Sequence, residues 1–379
     1  MSFEIDPPPL LAPLQRVMLR DSLAEPDGGH HVEQVEILFA SGPVSGCVAA
    51  AWEETVASTE ALRVAFVTAD GNAAGREFVT LRNFLNQHEP LPSSWESWRE
   101  ADRRRPLLVP HEAPWRAVYW PEEGRFIWTF HHALLDGRSL ARVLQNFFER
   151  LAGGNPPPLA IAEWPAPTAE ALAMAERTFR DGAVDPLEMS FPDVAAGPAV
   201  RCLGHDFALH LESLAAAFEV TAATILIWAW GQALMEFSGA DAVIVEQLRA
   251  GAPQPGTAGF TMNTLPVTVR RAGADVAGSL REFRARLLAL RDIESVAPED
   301  FAPGVFPDTN GLSSSVIMVE RGTPRHLVGR DFVESLVLHE ATGETLMATA
   351  HVLPDFRLEV EGRGRHDLLR GWVCVLERL

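Results

Sequence analysis

Lysine is absent. All 32 basic residues among the 379 positions are arginine. No side-chain amine is available for a Schiff base, which excludes pyridoxal-phosphate enzymes and Schiff-base aldolases. The lysines of a Walker-type phosphate loop and of a kinase are missing as well. Positive charge is scarce overall: 51 acidic residues leave a formal net charge of −19. Nucleic acids and anionic membrane surfaces need a basic footprint, so neither is expected as a partner. Cysteine is scarce too. Cys47, Cys202 and Cys374 are widely spread, and no Cys-x-x-Cys pair occurs. Neither a zinc site nor a disulfide framework is predicted, and a reducing compartment fits. The most apolar stretch, Val220 to Gly231, falls short of the roughly 20 residues that span a bilayer. It reads as a buried core helix. The N-terminus carries Glu4 and Asp6 and no apolar core, so no signal peptide is predicted. The expectation is a cytoplasmic protein.

Hydrophobic residues make up 47 % of the chain and charged residues 22 %, the balance of an ordinary folded protein. The length predicts about two domains. The densest Gly/Pro region of the mid-chain runs from Gly153 through Pro158 to Pro167. Proline donates no backbone hydrogen bond and restricts its predecessor, so this stretch resists both helix and sheet interior. The expected division is residues 1–160 and 161–379.

Both parts read as mixed α and β. In the first, Val44 to Ser58 reads as a helix and Arg63 to Thr68 as a strand. Phe126, Trp128 and Phe130 alternate along a strand over Arg125 to His131. Leu140, Val143, Leu144, Phe147, Phe148 and Leu151 form one apolar stripe of a helix over Ser139 to Leu151. In the second, helices are predicted over Leu209–Phe218, Thr221–Phe237, Ser279–Arg291 and Asp367–Leu376. Strands are predicted over Ala242–Gln247, Leu265–Arg270 and Ser313–Val319. No Gly-x-Gly-x-x-Gly follows a strand, so no dinucleotide site is expected.

The chemistry-bearing segment is Arg125-Phe-Ile-Trp-Thr-Phe-His131-His132-Ala-Leu-Leu-Asp136-Gly137. A strand runs into two histidines, then a turn, then the amphipathic helix. Adjacent strand residues face opposite sides. If the strand persists, His132 shares a face with Phe130 and His131 points away, so the two do not form one bidentate site. An imidazole near pKa 6.5 suits a general base at neutral pH. Bland readings of the same residues stand beside this one: a hydrogen-bonded core histidine, a helix cap at Asp136, a turn glycine at 137. A metal site is not predicted.

The segment resembles the His-His-x-x-x-Asp-Gly motif of the condensation domains of nonribosomal peptide synthetases. The wider superfamily of chloramphenicol-acetyltransferase-like acyltransferases shares that motif. Further blocks resemble that family in its order along nearly the whole chain. They are Ala12-Pro-Leu-Gln15-Arg-Val-Met18, Glu60-Ala-Leu-Arg63-Val-Ala-Phe66, Trp115-Arg-Ala-Val, Phe237-Ser-Gly-Ala-Asp-Ala-Val243 and Phe260-Thr-Met-Asn263-Thr264-Leu265-Pro266.

The resemblance implies an α/β fold of two chloramphenicol-acetyltransferase-like, two-layer α+β lobes in a pseudo-dimeric V. The active-site tunnel would lie between them, and a crossover segment near 253–270 would reach from the second lobe. It implies His132 as the catalytic histidine and Gly137 as a backbone N–H donor near the reacting carbonyl. His131 and Asp136 become structural residues of the site, with Arg63 as the partner of Asp136, since a buried carboxylate needs one and arginine binds it bidentately. Asn263, Thr264, Ser314 and Ser315 become candidate tunnel residues.

The implied reaction joins a carrier-protein-bound acyl thioester to a small-molecule amine or alcohol acceptor. No acyl-enzyme and no bound cofactor are needed, because phosphopantetheine delivers the donor. The chain is expected as a monomer, either free-standing or one domain of a larger synthetase. Two rivals stand beside this reading. One is an acyltransferase taking its donor from coenzyme A, for which Arg103-Arg-Arg105 is the only tight basic cluster. The other is a catalytically inactive carrier-docking domain, which the intact His132, Asp136 and Gly137 disfavour.

The sequence also departs from the family pattern. The chain is shorter than most condensation domains. The stretch between Val245 and Phe260 is short and lacks a Ser-Gly-Arg, and the region from Val328 to His351 is compressed.

Overall fold

In a computed structural model of the chain, the described residues are 11–40, 47–69, 72–81, 84–87, 89–182, 198–251, 254–296, 315–320, 332–340, 346–352, 356–362 and 364–379. In chain order their elements are α1 (Pro13–Ala24), β1 (Val32–Phe39), α2 (Val48–Ala57), β2 (Val64–Ala69), β3 (Asn72–Phe78), α3 (Trp95–Arg103), β4 (Trp115–Trp120), β5 (Arg125–His131), α4 (Gly137–Leu151), β6 (Ala160–Ile161), α5 (Ala169–Gly182), β7 (Ala199–Cys202), α6 (Gly204–Ala217), α7 (Ala222–Ser238), β8 (Ala242–Ala250), β9 (Thr257–Ala258), β10 (Met262–Arg270), α8 (Val276–Ala289), β11 (Val316–Glu320), β12 (Val333–His339), β13 (Leu346–His351), β14 (Arg357–Gly362) and α9 (Arg365–Glu377).

The chain forms two compact units. The first comprises Met1–Pro165, Gly251–Met262 and Thr323–Gly343. The second comprises Ala166–Ala250, Asn263–Gly322 and Glu344–Leu379. This differs from a single cut at 160/161. The first crossing falls at 165/166, and two later segments return to the first unit.

The first unit is built on the sheet β12-β1-β5-β4. Strand β1 pairs antiparallel with β5, with Val32 opposite His131 and Glu33 opposite Phe130. The aromatic alternation of β5 puts Phe126, Trp128 and Phe130 into the core. Ile127 turns to the other side with Val118 and Trp120. The apolar stripe of α4 is buried over its whole length and packs into the same core as β5. Trp52 of α2 sits among Trp115, Phe126, Trp128 and Phe147, with ring centroids 5.0–5.7 Å away. Edge-on packing of this kind suits the ring quadrupoles.

The second unit holds the sheet β10-β8-β11-β13-β14-β7. Its central helix α7 is apolar and buried on nearly all sides. Thr221 caps its start, and Gly239, at φ +78°, ends it with an N–H to the carbonyl of Met235. A side chain at Gly231 would bring its Cβ within 2.6 Å of Val269, so the mid-helix glycine permits close contact with β10. Among the described residues no single helix is long and apolar enough to cross a membrane.

Most periodic segments form the predicted elements, with ends shifted by a few residues. Two differences touch the motif. Helix α4 begins at Gly137 rather than Ser139, because Asp136 serves as its N-cap. Strand β5 ends at His131, and His132 opens a short 3-10 turn to Leu134.

Candidate active site

The site grows from the end of β5. There the backbone N–H of His132 donates to the carbonyl of His31 at 2.7 Å, which extends the β1–β5 ladder by one bond. The chain then turns, so His132 is not the next residue of a strand face. The two histidines consequently differ in role. His131 is buried. Its Nδ1 accepts from the N–H of Ala133 at 3.1 Å, and its Nε2 lies 2.9 Å from the hydroxyl of Ser22. An accepting Nδ1 carries no proton, so Nε2–H donates to Ser22. Burial, with His31 and His132 nearby, pushes the imidazole pKa down to about 3. His131 is neutral and fully used by the fold.

His132 is bonded at one nitrogen only. Its Nδ1 lies 2.5 Å from Oε1 of Glu33 and 3.2 Å from the carbonyl of Leu135. Both partners accept, so Nδ1 carries the proton. Among the described residues Nε2 has no hydrogen-bond partner, and the side chain is 17 % exposed. The ring of Phe260 packs edge-on against it, 5.6 Å between centroids. Burial pulls the imidazole pKa down. The charge and hydrogen bond of Glu33, with the charges of Glu340 and Asp136, reverse this and raise it to about 9.

Gln15 of α1 braces the turn. Its Nε2 donates to the carbonyl of Ala133 at 2.7 Å, and its Oε1 accepts from the N–H of Ala12 at 2.7 Å. The block Ala12–Met18 thus contributes a buried amide that holds the histidine turn.

Asp136 does not pair with Arg63. Its Oδ1 accepts from the N–H of Ser139 at 2.8 Å, and its Oδ2 from the N–H and hydroxyl of Thr261 at 3.0 and 2.7 Å. Three donors satisfy the carboxylate without a cation. Arg63 sits in the turn before β2, and its Nε is buried without a partner among the described residues. The expected ion pair is therefore replaced by a cap and a clamp. Gly259 adds to the clamp: its carbonyl accepts from the N–H of Asp136, and its N–H donates to the hydroxyl of Ser139, both at 3.1 Å. Arg138 and Arg142 bind the carbonyls of Gly251 and Thr257 at 3.1 and 2.8 Å. Gly251 and residues 254–262 are held in this way against α4.

Gly137 is the first residue of α4, where backbone N–H groups have no partner within the helix. It is exposed, and a Cβ added there would meet no atom within 4 Å. The fold therefore leaves room for a side chain at this position.

The other predicted site residues lie in the second unit or outside the described residues. Asn263 is buried, and its Nδ2 donates to the carbonyls of Glu294 and Val296 at 2.9 Å each. Thr264 is buried on β10. The hydroxyl of Ser315 accepts from Nε1 of Trp230 at 3.1 Å. Ser314 lies outside the described residues. The arginine run is tied down locally: Arg103 to Gln34, Arg104 to Glu100 and Arg105 to Asp102.

Sequence reasoning missed Glu33, Thr261 and Phe260 as parts of the site. Glu33 left a signal. On β1 it shares a face with Val35, Ile37 and Phe39, which enter the core. A carboxylate at the end of such a face requires a buried partner.

This fold is that of condensation domains. The chain matches the first condensation domain of the CDA synthetase with a TM-score of 0.71 at 18 % identity, covering 97 % of this chain and 96 % of that one. It matches the starter condensation domain of the rhizomide synthetase RzmA with a TM-score of 0.73 at 13 % identity, covering 98 % and 96 %.

In sequence the chain is similar to two linear gramicidin synthase proteins of Brevibacillus parabrevis. It is 27 % identical to one of them over 356 residues and 82 % of this chain. It is 28 % identical to the other over 313 residues and 72 % of this chain. The chain spans only 7 % and 4 % of the lengths of those two proteins. No protein-family model matches it. The chain thus has the fold of condensation domains and is similar in sequence to parts of nonribosomal peptide synthetase proteins.

Proposed function

We propose that this chain catalyses acyl transfer in nonribosomal peptide or related biosynthesis, joining a carrier-bound acyl thioester to an amine or alcohol. The observation that carries this reading is His132. Its Nδ1–H is fixed by two acceptors, and its Nε2 is unpartnered. In the unprotonated ring, the minor form at neutral pH because the pKa is raised to about 9, an unpartnered Nε2 can take a proton from a nucleophile. The acceptor attacks the thioester carbon, and its proton passes to Nε2. The carbonyl oxygen becomes an oxyanion, for which the N–H of Gly137 is an available donor. Collapse breaks the carbon–sulfur bond, and the proton on Nε2 passes to the leaving thiolate. The acyl group ends on nitrogen or oxygen, and the carrier thiol is released. No step uses a covalent enzyme intermediate. The same observation disfavours a purely docking role, which needs no open imidazole nitrogen.

The coenzyme A reading has weaker support, because the three clustered arginines are already engaged by neighbouring side chains. The test supplies the protein with acyl thioesters on a carrier protein and on coenzyme A, each with an amine or an alcohol, and reads products by mass. Amide or ester formed from the carrier donor supports the proposal. Product from the coenzyme A donor alone selects the rival, and no product from any donor removes the catalytic reading.

Gly137→Ala supplies a sharper check. Replacing a helical glycine with alanine typically stabilises by about 0.4–1 kcal/mol when the conformation permits. The Cβ would stand in open space, so the melting temperature should hold or rise slightly. Turnover should fall, because the methyl group occupies the approach to the N–H donor. Unchanged turnover at saturating substrate would dismiss the role of this N–H.

A further inference from the structure

We propose that Glu33 is a positioning residue for His132, holding the imidazole with its proton on Nδ1 and strengthening Nε2 as a base. The inference deepens the acyltransfer reading and rests on it for its catalytic part. The geometry carries it. Oε1 of Glu33 lies 2.5 Å from Nδ1 of His132. Both groups are largely withdrawn from water, with 5 % and 17 % of the side chains exposed. A carboxylate buried this far is costly unless paired, and the imidazole is the partner the structure provides.

The chain brings the pair together by register. Glu33 stands opposite Phe130 in the β1–β5 ladder, and His132 follows two residues later at the turn. On the other face of β1, Glu36 is matched instead by Arg99 and Arg125. The buried acids of this strand are thus divided between two tasks. Glu36 neutralises arginines, and Glu33 is committed to the histidine.

The carboxylates around His132 all act in the same sense, against its burial. Glu33 on β1, Glu340 just beyond β12 and Asp136 before α4 favour its protonated form. The charge of His132 in turn disfavours protonation of His31 and His131. Only Glu33 also bonds the ring. A carboxylate behind an imidazole fixes the tautomer and stabilises the imidazolium formed when Nε2 takes a proton, as in serine-protease triads.

The consequence for pH has a definite sign. His132 holds its proton until the pH approaches about 9, and only the unprotonated ring can act as a base. Activity limited by this step should rise with pH and level off above that value. Removing the carboxylate should shift the rise to lower pH.

The test is Glu33→Gln, which keeps the size and an acceptor oxygen but removes the charge. Nitrogen-15 NMR of the imidazoles reads the titration and tautomer of His132 without any turnover, with His132→Asn identifying its signal. The expected result is a downward shift of the His132 titration by one pH unit or more in the variant. The rising limb of kcat should shift in parallel, with KM little changed. Equal titrations in the two proteins would overturn the proposal. If Glu33→Gln does not fold, Glu33→Asp serves, because its shorter side chain keeps the charge but withdraws it from the ring. An intermediate shift is then expected, and none would again overturn the idea. If the parent protein forms no product with any donor, the acyltransfer reading fails, while the titration still decides the role of Glu33.

Discussion

His132→Ala is expected to lower turnover by about 10²- to 10⁴-fold, the usual contribution of a positioned acid–base group. Among the described residues, the imidazole of His132 is the only side chain from His131 to Gly137 with an unpartnered nitrogen. His131 cannot replace it, because both of its nitrogens are bonded to Ala133 and Ser22. The alanine variant also leaves the Glu33 carboxylate buried without its partner, which adds a stability cost. His132→Asn separates the two effects. Its side-chain amide can offer an N–H toward Glu33 but cannot accept a proton at neutral pH. The asparagine variant should therefore melt closer to the parent than the alanine variant does, yet turn over as slowly. Parental turnover in both variants would show that the imidazole moves no proton.

Asp136→Ala should be the most destabilising single change at the site. It removes the N-cap of α4, worth roughly 0.5–2 kcal/mol. It also leaves the N–H and hydroxyl of the buried Thr261 without their acceptor, at about 1–3 kcal/mol for each unsatisfied group. A total of roughly 2.5–8 kcal/mol follows, expected as a melting temperature lower by on the order of 10 °C. Because Thr261 is held by the same carboxylate, faster proteolysis within residues 254–262 should accompany the loss. Asp136→Asn retains an acceptor for Ser139 and should fall between the two. Activity lost with an unchanged melting temperature would contradict the clamp, and would place Asp136 in the chemistry instead. Arg63→Ala supplies a control, since Arg63 and Asp136 share no bond: its stability effect should add to that of Asp136→Ala without coupling.

The legible parts of the molecule were those governed by local period. The apolar stripe of α4 needs only its own residues to declare a helix, and every stripe residue is buried. The alternating aromatics of β5 declare a strand in the same way. Asp136 just before that stripe was readable as a cap. The turn at His132 was less readable, because strand period continues through the histidine pair. What stops the strand is the bonding of Gln15 to Ala133 and of Ala133 to His131. The pairing of Arg63 with Asp136 failed for a related reason. A buried carboxylate demands a partner, but charge alone does not say which. Here hydroxyl and backbone donors on Thr261, 125 residues away in sequence, meet the demand.

By itself the sequence determined the element types and the absence of lysine chemistry. Each follows from composition or from spacing within a few residues. The tertiary structure alone decided that Asp136 clamps a returning segment, that His131 is spent on the fold, and that Glu33 stands behind His132. These are matters of partner choice. Buried polar groups must all be satisfied, but which donor meets which acceptor depends on strand register and chain return, and local spacing encodes neither.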